Sequence, residues 1–199
     1  MSTFAREDEL DPATYGYDLS LPWHDGNFLD RNYGEGKRQA ESLLAQKSPF
    51  PVAFARAAHV LSNRDEFTGR VAFLVERILR GQRMTSFRNP GLTSLIHADD
   101  LGRFLAWLSQ SRLTGPVNAC SPEPVTLYDV CAPIEEETGR KAVIEELDQA
   151  TGDPDLAPFS CPADYGMSVT RAERAGYAFV PTRQWLRTMA KAAVPAAKG

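Results

Sequence analysis

The chain lacks a charge excess of either sign. Its 199 residues carry 22 Lys and Arg against 26 Asp and Glu, a net of −4. That balance argues against a nucleic-acid surface, which needs a basic face for phosphates. Arg77, Arg80, Arg83 and Arg88 do cluster, but Glu76 sits among them and the group reads as a solvated helix face. Cysteine is scarce as well. Cys120, Cys131 and Cys161 are odd in number and form no C-x-x-C, so neither a disulfide framework nor a zinc site is signalled. Reduced thiols in a cytoplasmic chain are the reading that follows. Long apolar runs are missing too. Nothing approaches the ~20 residues of a membrane span, and no signal-peptide pattern opens the chain. There is no internal repeat and no low-complexity segment.

What is present is ordinary for a globular chain: 43% apolar and 24% charged residues. The length suits one domain or two small ones. The most informative stretch is Tyr33-Gly-Glu-Gly-Lys37, which reads as the opening of a helix over residues 33–47. Four residues apart, Tyr33 and Lys37 fall on one helix face, one turn apart. An ammonium beside a phenol favours the phenolate and readies the oxygen as a general acid or base. Glycine twice in a first turn costs roughly 1 kcal/mol each against Ala. Gly34 and Gly36 therefore point to something that must approach the backbone closely.

Along the chain, residues 1–32 are acidic, aromatic and turn-rich, a loop with one short turn at most. His24 lies there as a loop histidine. Phe50–Ala58 reads as a strand and Ala57–Thr68 as a polar loop holding His59, Asn63, Arg64 and Asp65. Val71, Leu74, Val75, Ile78 and Leu79 make a helical stripe that Gly81 ends. Met84–Asn89 reads as a short strand or turn, Leu92–His97 as a strand, and Asp99 or Asp100 as the N-cap of the helix through Leu101–Leu108. Val117–Ala119 is a short strand. Thr126 or a residue beside it caps a helix from Leu127 to about Thr138 that Gly139 closes. Lys141–Leu147 alternates as an edge strand, residues 150–162 form a loop, and two helices follow over 168–175 and 181–193.

These pieces carry a resemblance. Tyr33-Gly-Glu-Gly-Lys37-Arg-Gln-Ala40-Glu41 resembles the active-site helix of the extended short-chain dehydrogenase/reductases, the NAD-dependent epimerase and dehydratase family. Pro51-Val-Ala-Phe-Ala-Arg56 resembles that family's strand ending in Arg, and Ser62-Asn-Arg-Asp65 the turn after it. Ser94-Leu-Ile-His97-Ala-Asp-Asp100-Leu resembles its strand-to-helix segment. Gly115-Pro-Val-Asn118, with Pro124-Val-Thr-Leu127, resembles its last core strand and following helix. The resemblance implies an α/β fold: the edge of a Rossmann-like parallel sheet plus a small mixed substrate domain. It divides the chain into residues 1–59, a remnant of the nucleotide-binding domain, and 60–199, mainly substrate-binding. It makes Tyr33 and Lys37 the catalytic and ribose-binding residues, and His59, Asn63, Arg64 and Arg88 candidates for the substrate side. Ser2 or Thr3 stands where the family has a catalytic hydroxyl.

The family holds NAD or NADP on a glycine-rich turn between a strand and a helix. None of the fourteen glycines repeats that spacing, and Gly34-Glu-Gly36 lies inside a helix with no strand before it. The chain is thus expected to match the C-terminal portion of the family without its cofactor half. Two functions remain open. One is an NAD(P)-dependent epimerase, dehydratase or reductase acting on a nucleotide sugar or similar small carbonyl or hydroxyl compound, its cofactor half supplied from elsewhere. The other is a non-catalytic module that binds a ligand or partner. Either way a homo-oligomer or a companion chain is expected, with no metal, no nucleic acid and no membrane.

Overall fold

The computed structural model describes residues 4–5, 10–63 and 68–196, so Ser2, Thr3 and Arg64 lie outside it. Its elements are β1 (Phe4–Ala5), α1 (Gly26–Arg31), α2 (Tyr33–Lys47), β2 (Ala53–Ala57), β3 (His59–Leu61), α3 (Arg70–Arg80), β4 (Arg83–Phe87), β5 (Leu95–His97), α4 (Ala98–Gln110), β6 (Gly115–Ala119), α5 (Leu127–Thr138), β7 (Val143–Leu147), β8 (Gly166–Met167), α6 (Thr170–Arg174) and α7 (Thr182–Ala196). Strands and helices alternate, and all the strands pair in parallel: β1 with β8, β2 with β6, β3 with β5, β4 with β7. This is the mixed α/β architecture that the sequence pattern implies.

Around β5 the pairs join. Ala58 N donates to Ala119 O, His59 N to Ser94 O, and Ser121 N to Leu95 O. The run through β2 and β3 thus changes partner at Ala58, from β6 to β5. Adjacent residues of a strand face opposite ways, and β5 uses both faces. Leu95 belongs to a core built with Leu74 and Ile78 of α3, Ile134 of α5 and Met189 of α7. Ile96 belongs to a second core with Phe104 of α4, Val117 of β6 and Phe179. Burial on both faces is what parallel strands require.

Local chemistry sets the element ends. In α3 the buried positions Val71, Leu74, Val75 and Ile78 follow the helical period, and Gly81 turns left-handed (φ 61°) to close it. Helix α5 opens on a capping box, with Thr126 N donating to Asp129 Oδ2 at 2.9 Å, and closes at Gly139 (φ 68°). Three expectations are corrected. The segment 1–32 is not only loop and turn, because Asp25 caps the short helix α1 by accepting from Phe28 N at 2.9 Å. The segment 57–68 is not all loop, because β3 finds an open partner in β5. The N-cap of α4 is neither Asp99 nor Asp100 but His97, whose Nδ1 accepts from Asp99 N at 3.2 Å.

The segment after residue 155 closes the structure by running beside β4 and the chain before β5. Gly91 N donates to Cys161 O at 2.9 Å. A Cβ at Gly91 would stand 2.1 Å from the carbonyl carbon of Ala163 and 2.2 Å from its oxygen. Backbone there must move to admit it. Gly91→Ala is expected to cost about 1–3 kcal/mol, the usual range for overpacking. The check is the midpoint of denaturant unfolding, and an unchanged midpoint would contradict this account of the crossing.

Candidate active site

Helix α2 begins at Tyr33 and carries Glu35 in its first turn, where an acid suits the helix dipole. The structure brings Tyr33 and Lys37 together: Lys37 Nζ lies over the Tyr33 ring, 5.2 Å from its centroid. That is cation–π range. Tyr33 is 62% exposed and Leu44, eleven residues on, 47%. With Lys37 and Ala40 they form one outward stripe. The expectation of a close approach holds at one glycine of two. A Cβ at Gly36 would stand 3.2 Å from Leu29 Cδ1 and 3.4 Å from Trp23 Cζ3, whereas nothing lies within 4 Å at Gly34.

The other described candidates, His59, Asn63 and Arg88, make contacts with residues of their own. His59 opens β3 and is half-buried. Its ring packs edge-on to Phe159 at 5.8 Å and tilted to Tyr165 at 6.1 Å. Burial, with the nearby Arg70, pushes the imidazole below its ordinary value of 6.5. Tyr165 is 64% exposed although its backbone is pinned through Leu92 and Ser94. It is a residue that sequence reasoning missed, because it sits in a loop with no period to mark it. Asn63 follows β3 and accepts at Oδ1 from His97 Nε2 at 3.3 Å. Since Nδ1 of His97 caps α4, Nε2 is left to donate. Trp185 of α7 packs on the same imidazole at 5.5 Å. Arg88 lies just past β4, where its Nε meets Asp148 Oδ1 at 2.5 Å. Asp148 raises the Arg88 guanidinium above its usual value. His24 is an exposed loop residue.

Asp100 is 1% exposed and works as a latch. It accepts from Tyr177 Oη at 2.8 Å, Val180 N at 2.8 Å and Arg103 at 3.3 Å. Burial and the Asp100 carboxylate push the Tyr177 phenol up to about 12. Among the described residues no three His, Cys, Asp or Glu side chains gather as a metal site. Nor, among them, is any helix long and apolar enough to cross a membrane.

No protein-family model and no curated protein sequence matches the chain. Solved structures do. UDP-glucose 4-epimerase of Thermotoga maritima aligns at TM-score 0.62 and 19% identity, over 80% of this chain and 52% of that one. UDP-glucuronic acid 4-epimerase of Bacillus cereus, in complex with UDP-glucuronic acid and NAD, aligns at 0.63 and 17%, over 83% and 52%. dTDP-glucose 4,6-dehydratase of Bacillus anthracis, in complex with NAD, aligns at 0.63 and 14%, over 80% and 50%. The chain shares its fold with these enzymes. It spans about half the length of each, and the epimerase fold it shares is a partial Rossmann-like one.

The lowered His59 sets a pH dependence. Unfolded, the imidazole takes its proton as pH falls through about 6.5; folded, it resists until a lower pH. Within that window the unfolded state binds more protons, so stability falls as pH drops. His59→Gln is expected to flatten the loss between pH 7 and 5, read as unfolding midpoint against pH. A slope identical to wild type would assign it to other groups.

Proposed function

We propose that the chain belongs to an NAD(P)-dependent epimerase, dehydratase or reductase acting on a nucleotide sugar or similar small carbonyl or hydroxyl compound. Residues 1–59 then contribute the reactive helix, and residues 60–199 mainly the substrate side. The observation that carries this reading is the Tyr33–Lys37 pair on one open face of α2, in a chain sharing the fold of nucleotide-sugar epimerases. Tyr33 is the acid or base at the reacting hydroxyl, and Lys37 tunes it and bonds a ribose hydroxyl. His59, Asn63, Arg64 and Arg88 are assigned to the substrate side, with Tyr165 added beside His59.

The residues present fit only one end of the dinucleotide. Tyr33 and Lys37 suit a ribose, whereas the pyrophosphate needs a glycine-rich turn at a helix N-terminus. Both glycines of Gly34-Glu-Gly36 lie inside α2. When bound, the nicotinamide supplies a hydride acceptor; this chain supplies the proton-transfer oxygen and a cation. In an enzyme completed by a cofactor-binding half, Tyr33→Phe and Lys37→Met are each expected to lower turnover about 100-fold or more. Full turnover by Tyr33→Phe would remove α2 from the active site.

A second reading, a non-catalytic module that binds a partner, is favoured by one feature. The stripe of α2 through Tyr33 and Leu44 leaves two large apolar side chains open to solvent. Both readings expect the 199-residue chain alone to self-associate, or to need a companion chain, and to bind NAD(P)H weakly. Titrating NADH and NADPH while following fluorescence, with light scattering for mass, tests this. A monomer with micromolar affinity for either would overturn it.

A further inference from the structure

Helix α2 is mounted differently from the helices around the sheet. Helices α3, α4, α5 and α7 place apolar side chains in the two cores; α2 places none in either, and its one buried residue is Ser42. Beside the packing of Gly36 against Leu29 and Trp23, it is held by hydrogen bonds. Ser42 Oγ donates between Pro12 O (2.9 Å) and Tyr15 O (3.0 Å), and Gln46 Nε2 reaches the same two oxygens at 3.1 and 2.7 Å. Gln39 Oε1 accepts from Asp18 N at 2.7 Å. All three partners lie on a loop.

The charged link to the sheet is Arg56 of β2. Its Nε lies 3.1 Å from both oxygens of Glu41, and its Nη2 2.6 Å from Oε2. The same Nη2 donates to Leu10 O at 2.8 Å. One guanidinium therefore ties strand, helix and loop together. Both side chains are about four-fifths buried, at 19% and 21% exposure, which shields the pair from screening. Bidentate, charge-assisted contacts of this kind hold an orientation as well as a position.

We infer that Glu41 and Arg56 are the positioning pair of the Tyr33–Lys37 helix, and that α2 opens together with residues 10–31 as a unit separate from the core. Opening α2 exchanges polar contacts for water, whose hydrogen bonds replace them. Opening α3 would expose Val71, Leu74, Val75 and Ile78 to water instead, which the hydrophobic effect opposes. Regions with few buried apolar contacts are the ones that open first. The inference rests on the proposed role of Tyr33 and Lys37 only for its effect on turnover. The opening itself is read without substrate or cofactor.

Hydrogen–deuterium exchange of the 199-residue chain, followed by mass spectrometry, tests it. Amides of residues 36–47 are expected to exchange at least about tenfold faster than those in the second halves of α3 and α5. Glu41→Gln is expected to speed residues 36–47 by a further factor of about ten, and to leave α3 and α5 as they were. Arg56→Lys, which keeps the charge but loses the fork, falls between the two. The swapped variant Glu41→Arg/Arg56→Glu returns α2 toward the wild-type rate, which general loosening of the fold would not do. Protection of α2 equal to that of α3 and α5 in the wild-type chain overturns the inference without any variant. So does a Glu41→Gln effect spread evenly over all three helices.

Discussion

The contact between Arg56 and Glu41 ties helix α2 to strand β2. Arg56 lies two residues after Phe54 on β2, so the two share a face of the strand, and Phe54 is buried there. Glu41 comes one turn after Lys37, which comes one turn after Tyr33. A fork that holds Glu41 therefore also sets how far the two reactive side chains turn away from the sheet. Lysine would not serve equally, because a single ammonium grips one point where a guanidinium grips a plane. The sequence supplies the parts eight and twenty-three positions from Tyr33, and the sheet brings them together.

The rest of the chain keeps that strand in place. β5 separates two apolar cores, one on each of its faces, and draws hydrogen bonds from both β3 and the chain beyond β6. On one side Asp100 latches the first turn of α4 to residues 177–180. Removing that carboxylate would take the acceptor from Val180 N and leave Tyr177 Oη only the Asp100 carbonyl, 3.1 Å away, and a partly buried donor left unmet costs more than the bond itself contributes. On the other side the chain crosses at Gly91, and Phe159 accepts a left-handed backbone (φ 70°) while keeping its ring buried against His59. Strain of that kind persists only where surrounding contacts over-determine it.

Much of this was legible in the sequence, for physical reasons that differ by element. Helices α3 and α5 fall on the residues that periodicity and capping predict, since Thr126, Gly81 and Gly139 act locally and need no tertiary partner. The α/β class follows from the alternation of patterns. β3 was not legible, because three residues opening on a histidine inside a polar run carry no period. Only the open edge of β5 makes them a strand. The cap at His97 was hidden in the same way: Asp99 and Asp100 have better intrinsic capping chemistry, but Asp100 is spent on Tyr177 and Val180. Within the site, the Tyr33–Lys37 juxtaposition is a consequence of helix geometry and was readable. The His59–Tyr165 contact joins residues over a hundred positions apart and was not.

The exposure of the Tyr33–Lys37 stripe bears on what the pair can do. Lys37 Nζ stands 5.2 Å from the centroid of the Tyr33 ring, and an attraction across bulk water is several-fold weaker than the same attraction in a protein cleft. Geometry alone thus supplies a weak coupling while water covers the face. Covering the stripe strengthens it without moving an atom of α2, because the solvent that screened it is gone. The surface that covers Tyr33, Lys37, Ala40 and Leu44 therefore does more than complete the packing. In the proposed function, it would also strengthen the action of Lys37 on Tyr33.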